Sequence, residues 1–223
     1  MAEKVLVSWS AGKDSALALN ALAHDNSVEI AALLTVVTAG YDRISMHGVR
    51  RELLRRQAES LGYPLEEVLI PQQCTDEQYG QAMRRALEKH RLLGVGSVAF
   101  GDLFLEDVRR YREERLAIVG MRAIFPLWGR NTAELAREFV SAGFKAVVVC
   151  VDTQALEASF VGREYGSQFL AELPSGVDPC GENGEFHSFV YDGPGFRKKV
   201  EFQRGEIVLR DNRFSYCDLV SGE

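Results

Sequence analysis

The chain has 223 residues, 46% of them hydrophobic, and a net charge of −6. That length carries a proper core in one large domain or two small ones, and the mildly acidic, mixed-sign balance argues against a dedicated non-specific nucleic-acid surface. No apolar run is long enough to span a bilayer, and Cys74, Cys150, Cys180 and Cys217 form no C-x-x-C pair, so membrane, zinc and disulfide-framework classes drop out and a cytoplasmic protein is expected.

An apolar strand, Val5-Leu6-Val7, leads through Ser8-Trp9-Ser10-Ala11-Gly12-Lys13-Asp14-Ser15 into an Ala- and Leu-rich helix beginning near Ala16. A strand, a small-residue loop and a helix start make an anion site, because the first helical N–H groups lack intrahelical partners and sit at the positive end of the dipole. Gly12 permits close backbone approach and Lys13 adds a mobile positive charge, while Ser10, Asp14 and Ser15 suit the turn. Aligned with G-x-x-x-x-G-K-[ST], Val7 stands where the first glycine should be and Asp14 where the magnesium-binding hydroxyl should be. A kinase-type phosphate loop is therefore excluded.

Val28 to Val37 is apolar on both faces, as a buried parallel strand requires, and Thr38-Ala39-Gly40 ends it. Ligands of open parallel sheets lie beyond the carboxyl ends of strands, so Thr35 to Gly40 and the phosphate loop are expected to share a crevice in which adenine meets strand backbone. Ser45-Met46-His47-Gly48 is a loop on the same side, preceding a helix from Val49 to Leu61 whose Arg50, Arg51, Arg55 and Arg56 read as a solvated face. Next come a strand over Glu67 to Ile70 and a helix from Thr75, its N-cap, to about Leu93. Ser97 to Phe100 is a core strand closed by Gly101-Asp102, where Asp102 could hold magnesium through water, orient a substrate or cap the following charged helix, Leu105 to Val119.

Strand and helix alternate to this point, so the fold class is α/β, a doubly wound parallel sheet with right-handed crossovers. Ile124-Phe125-Pro126-Leu127-Trp128-Gly129-Arg130 breaks the texture and reads as a junction, dividing residues 1–125 from a smaller mixed α+β domain at 126–223. Beyond it lie a helix over Thr132 to Ala142, a strand over Phe144 to Val151, a helix over Tyr165 to Leu173, and strands over Phe186–Tyr191, Arg197–Arg204, Ile207–Arg210 and Phe214–Leu219. Phe202, Phe214 and Tyr216 would serve equally a core or the interface of a homodimer.

Cys180-Gly181-Glu182-Asn183-Gly184-Glu185-Phe186-His187-Ser188 is the second unusual stretch. Asn183-Gly184 favours a positive-φ turn, and Glu185 and His187, two apart at a strand start, are expected on one face. Two carboxylates and an imidazole there could bind a cation, take a proton from an incoming amine or recognise a cationic substrate, whereas an exposed acidic hairpin would have none of these roles. Cys180 with His187 as a glutamine-hydrolysing pair is disfavoured, since no glutaminase-sized second domain is available.

The first loop resembles the S-G-G-K-D-S PP-loop of ATP pyrophosphatases, with Ala11 in the second position, a mild departure if that residue needs no positive φ. With Met46-His47-Gly48, Gly101-Asp102, Pro126 to Arg130 and Gly181 to His187, its order along nearly the whole chain resembles the diphthine ammonia ligase family. The resemblance implies an adenine nucleotide alpha hydrolase domain, ATP and Mg²⁺ as cofactors, and release of AMP and pyrophosphate. It also implies amide formation between ammonia and an acid-bearing acceptor, diphthine on a translation elongation factor. Carried onto this chain, Ser8, Ser10, Ala11, Gly12, Lys13, Asp14 and Ser15 would form the phosphate site, joined by Thr35, His47, Gly101 and Asp102, with Asp102 also the candidate metal ligand. Glu182, Asn183, Glu185 and His187 would face the acceptor, and Lys13, Glu185 and His187 would be catalytic. Two rivals remain at this stage. One is a PP-loop ligase for a small acid or modified nucleoside, the other an ATP-binding sensor that never releases pyrophosphate.

Overall fold

Apolar runs that alternate with amphipathic helices bury themselves by stacking parallel strands between helical layers, and the first half of this chain does so. In a computed structural model, which describes residues 2–44 and 47–222, its elements are β1 (Glu3–Ser8), α1 (Lys13–Ala23), β2 (Val28–Thr38), β3 (Arg43–Ile44), α2 (Arg51–Leu61), β4 (Leu65–Ile70), α3 (Asp76–Leu92), β5 (Ser97–Ala99), α4 (Glu106–Ala117) and β6 (Arg122–Ile124). The second half adds α5 (Thr132–Ser141), β7 (Lys145–Asp152), a 3₁₀ turn (Ala158–Phe160), β8 (Glu164–Tyr165), α6 (Ser167–Glu172), β9 (Phe186–Asp192), β10 (Phe202–Arg210) and β11 (Phe214–Ser221). Ser45 and Met46 of the expected His47 loop lie outside the described residues.

The parallel strands run in the order β4-β2-β1-β5-β6, and β3 pairs antiparallel with the end of β2. The chain builds outward from β1 through β2 to β4, then returns to the other side of β1 for β5 and β6. This reversal opens a crevice beyond the carboxyl ends of β1 and β5, where the phosphate loop leaves β1. Helices cover both faces, which makes the sheet doubly wound. Val5, Val7 and Leu33 pack with Leu17, Leu53 and Leu54 of α1 and α2, while Leu6, Leu34 and Val98 pack with Ala86, Leu87 and Leu116 of α3 and α4.

The second sheet is antiparallel, ordered β10-β11-β7-β8 with β9 also on β7. Every residue of β7 except Lys145 is buried, which explains its central place. Its core joins that of the first half: Phe139, Phe144, Val147 and Phe189 belong to the same apolar cluster as Trp9, Leu17 and Leu54.

Three expectations on this half and its border need correction. Ile124, read as the first residue of the junction, instead ends the edge strand of the parallel sheet, Arg122–Ile124, which pairs with Ser97 to Ala99. Tyr165 pairs with Ala146 as a strand, and the helix starts only at Ser167. The two strands expected over 197–210 are one, β10, because a register shift between Arg204 and Ile207 carries the chain past Gly205 without a turn. Asp211 and Asn212, at φ 52° and 48°, then make the hairpin turn.

The arginines of α2 are also more than a solvated face. Arg51 and Arg55 both grip Glu67 of β4 at 2.8 to 3.1 Å, and Arg50 joins Arg43 on Asp218 of β11. Burial works to raise the Glu67 carboxyl, but the two guanidiniums outweigh it and hold it at about 2. A depressed carboxylate contributes stability that is present above its unfolded value of 4.5 and is lost as pH falls toward 2. Glu67→Gln is therefore expected to cost roughly 2–3 kcal/mol at pH 7 and about half as much near pH 3. Urea titration at the two pH values checks this, and an equal loss at both would remove the ion pairs as the cause.

Candidate active site

The phosphate loop is shaped by its first helical turn. Gly12 is the N-cap of α1, with no side chain capping the helix, so the N–H groups of that turn point toward the crevice. The hydroxyls line up beneath them: Ser15 Oγ donates to the Gly12 carbonyl at 2.8 Å and lies 3.2 Å from Ser10 Oγ, which accepts from Gly12 N–H at 3.3 Å. Ala11 adopts φ 68°, so the condition under which alanine would be a mild departure there is not met. A left-handed conformation costs a residue with a Cβ about 1–2 kcal/mol, so the turn is held by its surroundings.

Those surroundings come from the second sheet. Val190 N–H donates to the Ala11 carbonyl at 2.9 Å, and Lys13 N–H donates to Ser188 Oγ at 3.2 Å. The Lys13 ammonium donates to both Asp14 carboxylate oxygens, at 3.0 and 2.8 Å, and to the Cys180 carbonyl, with the Phe186 ring centroid 5.3 Å away. Burial works against the Lys13 charge, but Asp14 first, and then Cys180 and Glu182, together more than offset it, and the pKa is raised. Lys13 therefore stays a cation although its side chain is only 4% exposed.

The loop from Cys180 to Ser188 forms the opposite wall. Gly184 takes φ 90° in the Asn-Gly turn, and Gly181, three residues earlier, is a second left-handed position at φ 65°. Glu182 reaches the other half of the chain, its Oε1 accepting from Leu103 N–H at 2.7 Å. Burial, with Asp14 and Asp102 nearby, pushes its carboxyl up to about 7, so Glu182 titrates near neutrality. His187 and His47 meet with ring centroids 4.5 Å apart. Burial, then Lys13, pulls His187 down to about 4, and burial, then His187 and Lys13, pulls His47 lower than its ordinary value as well. Both imidazoles are neutral at pH 7 beside a fixed cation.

These groups line one cleft of about 420 Å³, with Ser8, Ser10, Gly12, Lys13, Asp14, Ser15, His47, Gly101, Asp102, Glu182 and His187 among its residues. Four expected site residues lie off that lining. Ala11 is buried behind the loop, and Thr35 is buried in mid-strand opposite Glu67. Glu185, expected to face a substrate, precedes β9 and turns into its own loop, accepting from Asp178 N–H at 3.1 Å and from Asn183 N–H and Nδ2–H, each at 3.0 Å. It buttresses the turn instead of sharing a face with His187, and Asn183 is spent on the same bond. Asp102 lines the cleft, but Leu105 is the N-cap of α4, and Arg112 holds the Asp102 carboxylate in a fork at 2.6 and 3.0 Å.

The cleft fits an anionic nucleotide tail. A Cβ on Gly12 would meet the Ser188 carbonyl at 3.1 Å and His47 Cε1 at 3.3 Å, so backbone, not side chain, faces that space. His47 Nδ1, in the cleft, is buried with no hydrogen-bond partner among the described residues, which leaves a polar atom for a ligand to satisfy. No group of three or more His, Cys, Asp or Glu among the described residues could hold a metal.

Sequence reasoning missed Ser188, Arg112 and Gln57. Gln57 had a signal: with Ser60 it is a polar residue on the buried stripe that Leu53, Leu54, Ala58 and Leu61 make largely apolar on α2.

Residues 3–123 match the family model described as the diphthamide synthase N-terminal domain, and residues 131–220 match the diphthamide synthase C-terminal domain. A rat protein named diphthine-ammonia ligase is 27% identical over 83% of this chain, and its human namesake 25% identical over 77%. The aligned region spans 72% of the rat protein's length and 66% of the human protein's. The namesake from Schizosaccharomyces pombe is 25% identical over 92% of this chain, which corresponds to 37% of its own length. A solved Methanocaldococcus jannaschii chain, titled a predicted subunit of tRNA methyltransferase, aligns with 88% of this chain and all of its own at 17% identity and a TM-score of 0.45, a likeness too slight to bear on function. Among the described residues no helix is long and apolar enough to cross a membrane.

Proposed function

The chain belongs to the diphthamide synthase family, both of whose domains it carries, and on that premise we propose that it is an ATP-dependent ligase that joins ammonia to a carboxylate in amide linkage. The acceptor is diphthine, which the names of its relatives carry, borne on a translation elongation factor. One observation carries the reading: Lys13 N–H and Ser188 Oγ, 3.2 Å apart, place the phosphate loop and the Gly181 to Ser188 loop in the same cleft. An activated carboxyl and its leaving group need both at once.

The reaction divides between the two walls. The acceptor carboxylate attacks the α phosphorus of ATP, and the loop N–H groups with Lys13 hold the departing pyrophosphate, a preorganised set of donors where charge develops. A phosphate oxygen that enters at Lys13 N–H takes the place of the Ser188 hydroxyl. Mg²⁺, when bound, would supply neutralisation of part of the phosphate charge, and Asp102 in the cleft is the carboxylate that would hold it through water. Ammonia then displaces AMP from the acyl adenylate. Glu182, close to half ionised at pH 7, is poised to take the proton ammonia loses, while neutral His187 offers a hydrogen bond without adding charge beside Lys13. Glu185 and Asn183 hold the turn that presents both.

The test is product analysis with Mg·ATP, ammonium and an elongation factor bearing diphthine. AMP and pyrophosphate that appear only when both acceptor and ammonium are present are the expected result. ADP as the product would overturn the assignment, and tight ATP binding with no cleavage in the presence of that acceptor would leave a nucleotide sensor.

A further inference from the structure

Gln57 sits where α2 should be apolar. Leu53, Leu54, Ala58 and Leu61 around it are buried, and Gln57 itself is 0% exposed. A buried amide is tolerated only when its donors and acceptor are paired, and here all are. Its Oε1 accepts from the Trp9 indole N–H at 3.0 Å, and its Nε2 donates to the Ala11 carbonyl at 3.1 Å and to the Val190 carbonyl. Only this orientation of the amide satisfies an indole donor on one side and two carbonyls on the other.

The three partners are not arbitrary. Trp9 and Ala11 belong to the phosphate loop, Ala11 being its one residue with a Cβ held at positive φ. Val190 lies on β9, two residues beyond Ser188 and three beyond His187, and its own N–H returns to the Ala11 carbonyl at 2.9 Å. One side chain from a third element thus closes a ring between the loop and the strand that forms the opposite wall of the cleft.

We propose that Gln57 is a positioning residue for ATP, holding the phosphate loop in register with the strand that carries His187 and Ser188. The proposal rests on the reading of that loop as the phosphate site. Without the amide, the Ala11 and Val190 carbonyls lose a shared donor, and Ala11 is released to relax toward negative φ. The loop N–H groups then no longer converge on one point. A residue that merely packs α2 would have no such effect: its loss would lower the melting temperature and leave ATP affinity alone.

Gln57→Met keeps the volume and removes every bond, while Gln57→Glu keeps the acceptor for Trp9 and removes the two donors when ionised. Titration calorimetry with Mg·ATP, below the melting temperature of each variant, reads the effect without any acceptor. Two lost donor bonds correspond to an increase of about tenfold in Kd for ATP in both variants. Should Gln57→Met fail to fold, Gln57→Glu decides alone. Either variant, folded and with an ATP affinity within about twofold of wild type, would overturn the positioning role while leaving the ATP site intact. Wild-type protein that binds no ATP would overturn the site reading and this proposal with it.

Discussion

Lys13→Ala is expected to slow acceptor-dependent AMP formation by about 10²–10³, the loss that follows removal of one preorganised donor to charge developing in a transition state. The structure says why the lysine is suited to this. Its ammonium is enclosed yet kept charged by Asp14 at 2.8 Å, and it stands beside the uncapped start of α1. A cation already desolvated and already oriented needs no reorganisation as pyrophosphate leaves. The variant also strands Asp14, whose side chain is 29% exposed, so part of the cost appears as lower stability, softened by water at that carboxylate. Separate measurements resolve the two. If Lys13 acts on the transition state, kcat falls far more than ATP affinity, in protein that still melts cooperatively. Turnover within about tenfold of wild type in a folded Lys13→Ala protein would remove the lysine from the chemistry.

What was legible in the sequence follows from how local the signal is. The phosphate loop announces itself through a strand, a small-residue turn and a helix start within about a dozen residues, and the Asn-Gly turn fixes where the second loop bends. Side-chain direction at a strand entry is another matter. Glu185 and His187 are two apart, but Glu185 lies before β9 begins, and the nearby N–H groups of Asp178 and Asn183 draw its carboxylate inward. Alternation holds only inside the strand. Asp102 looked like a cap or metal ligand because its rival partner, Arg112, lies ten residues on across a helix turn that spacing alone does not orient. Thr35 was grouped with the strand end at Thr38 to Gly40, but it lies three residues back from the end of β2, paired with Glu67 inside the sheet.

The more consequential omission is the coupling between the halves. Nothing in the spacing of residues reveals that Ala11, Gln57 and Val190 meet, since they are far apart in the chain and come from a loop, a helix and a strand. The sequence carries only a shadow of it, a glutamine in an apolar stripe and an alanine where the related motif has glycine. Each is a small local conflict, and each resolves once the second sheet is seen to hold the first loop in place.

Gly101→Ala tests the same closeness from the parallel-sheet side. Gly101 follows β5, the strand next to β1 in the sheet, and a Cβ built on it would stand 2.8 Å from the Asp14 carbonyl carbon, 2.9 Å from its oxygen and 3.0 Å from Ser15 N. All three are backbone atoms of the first turn of α1, so no flexible side chain can swing away. The methyl must push the start of that helix, the same turn proposed to hold the phosphates. Overpacking of this kind costs roughly 1–3 kcal/mol of stability. The functional cost is larger, because displacing a binding group by about 1 Å can cost about 10²-fold in rate. A fall in kcat/KM for ATP of that order is therefore expected, with a modest drop in melting temperature. Gly80→Ala is the control: nothing lies within 4 Å of its added Cβ, it sits inside α3, and alanine there should raise stability by about 0.5–1 kcal/mol without touching the rate. If Gly101→Ala turned over ATP as fast as Gly80→Ala, the end of β5 would have room to yield, and the phosphate loop would not depend on contact with it.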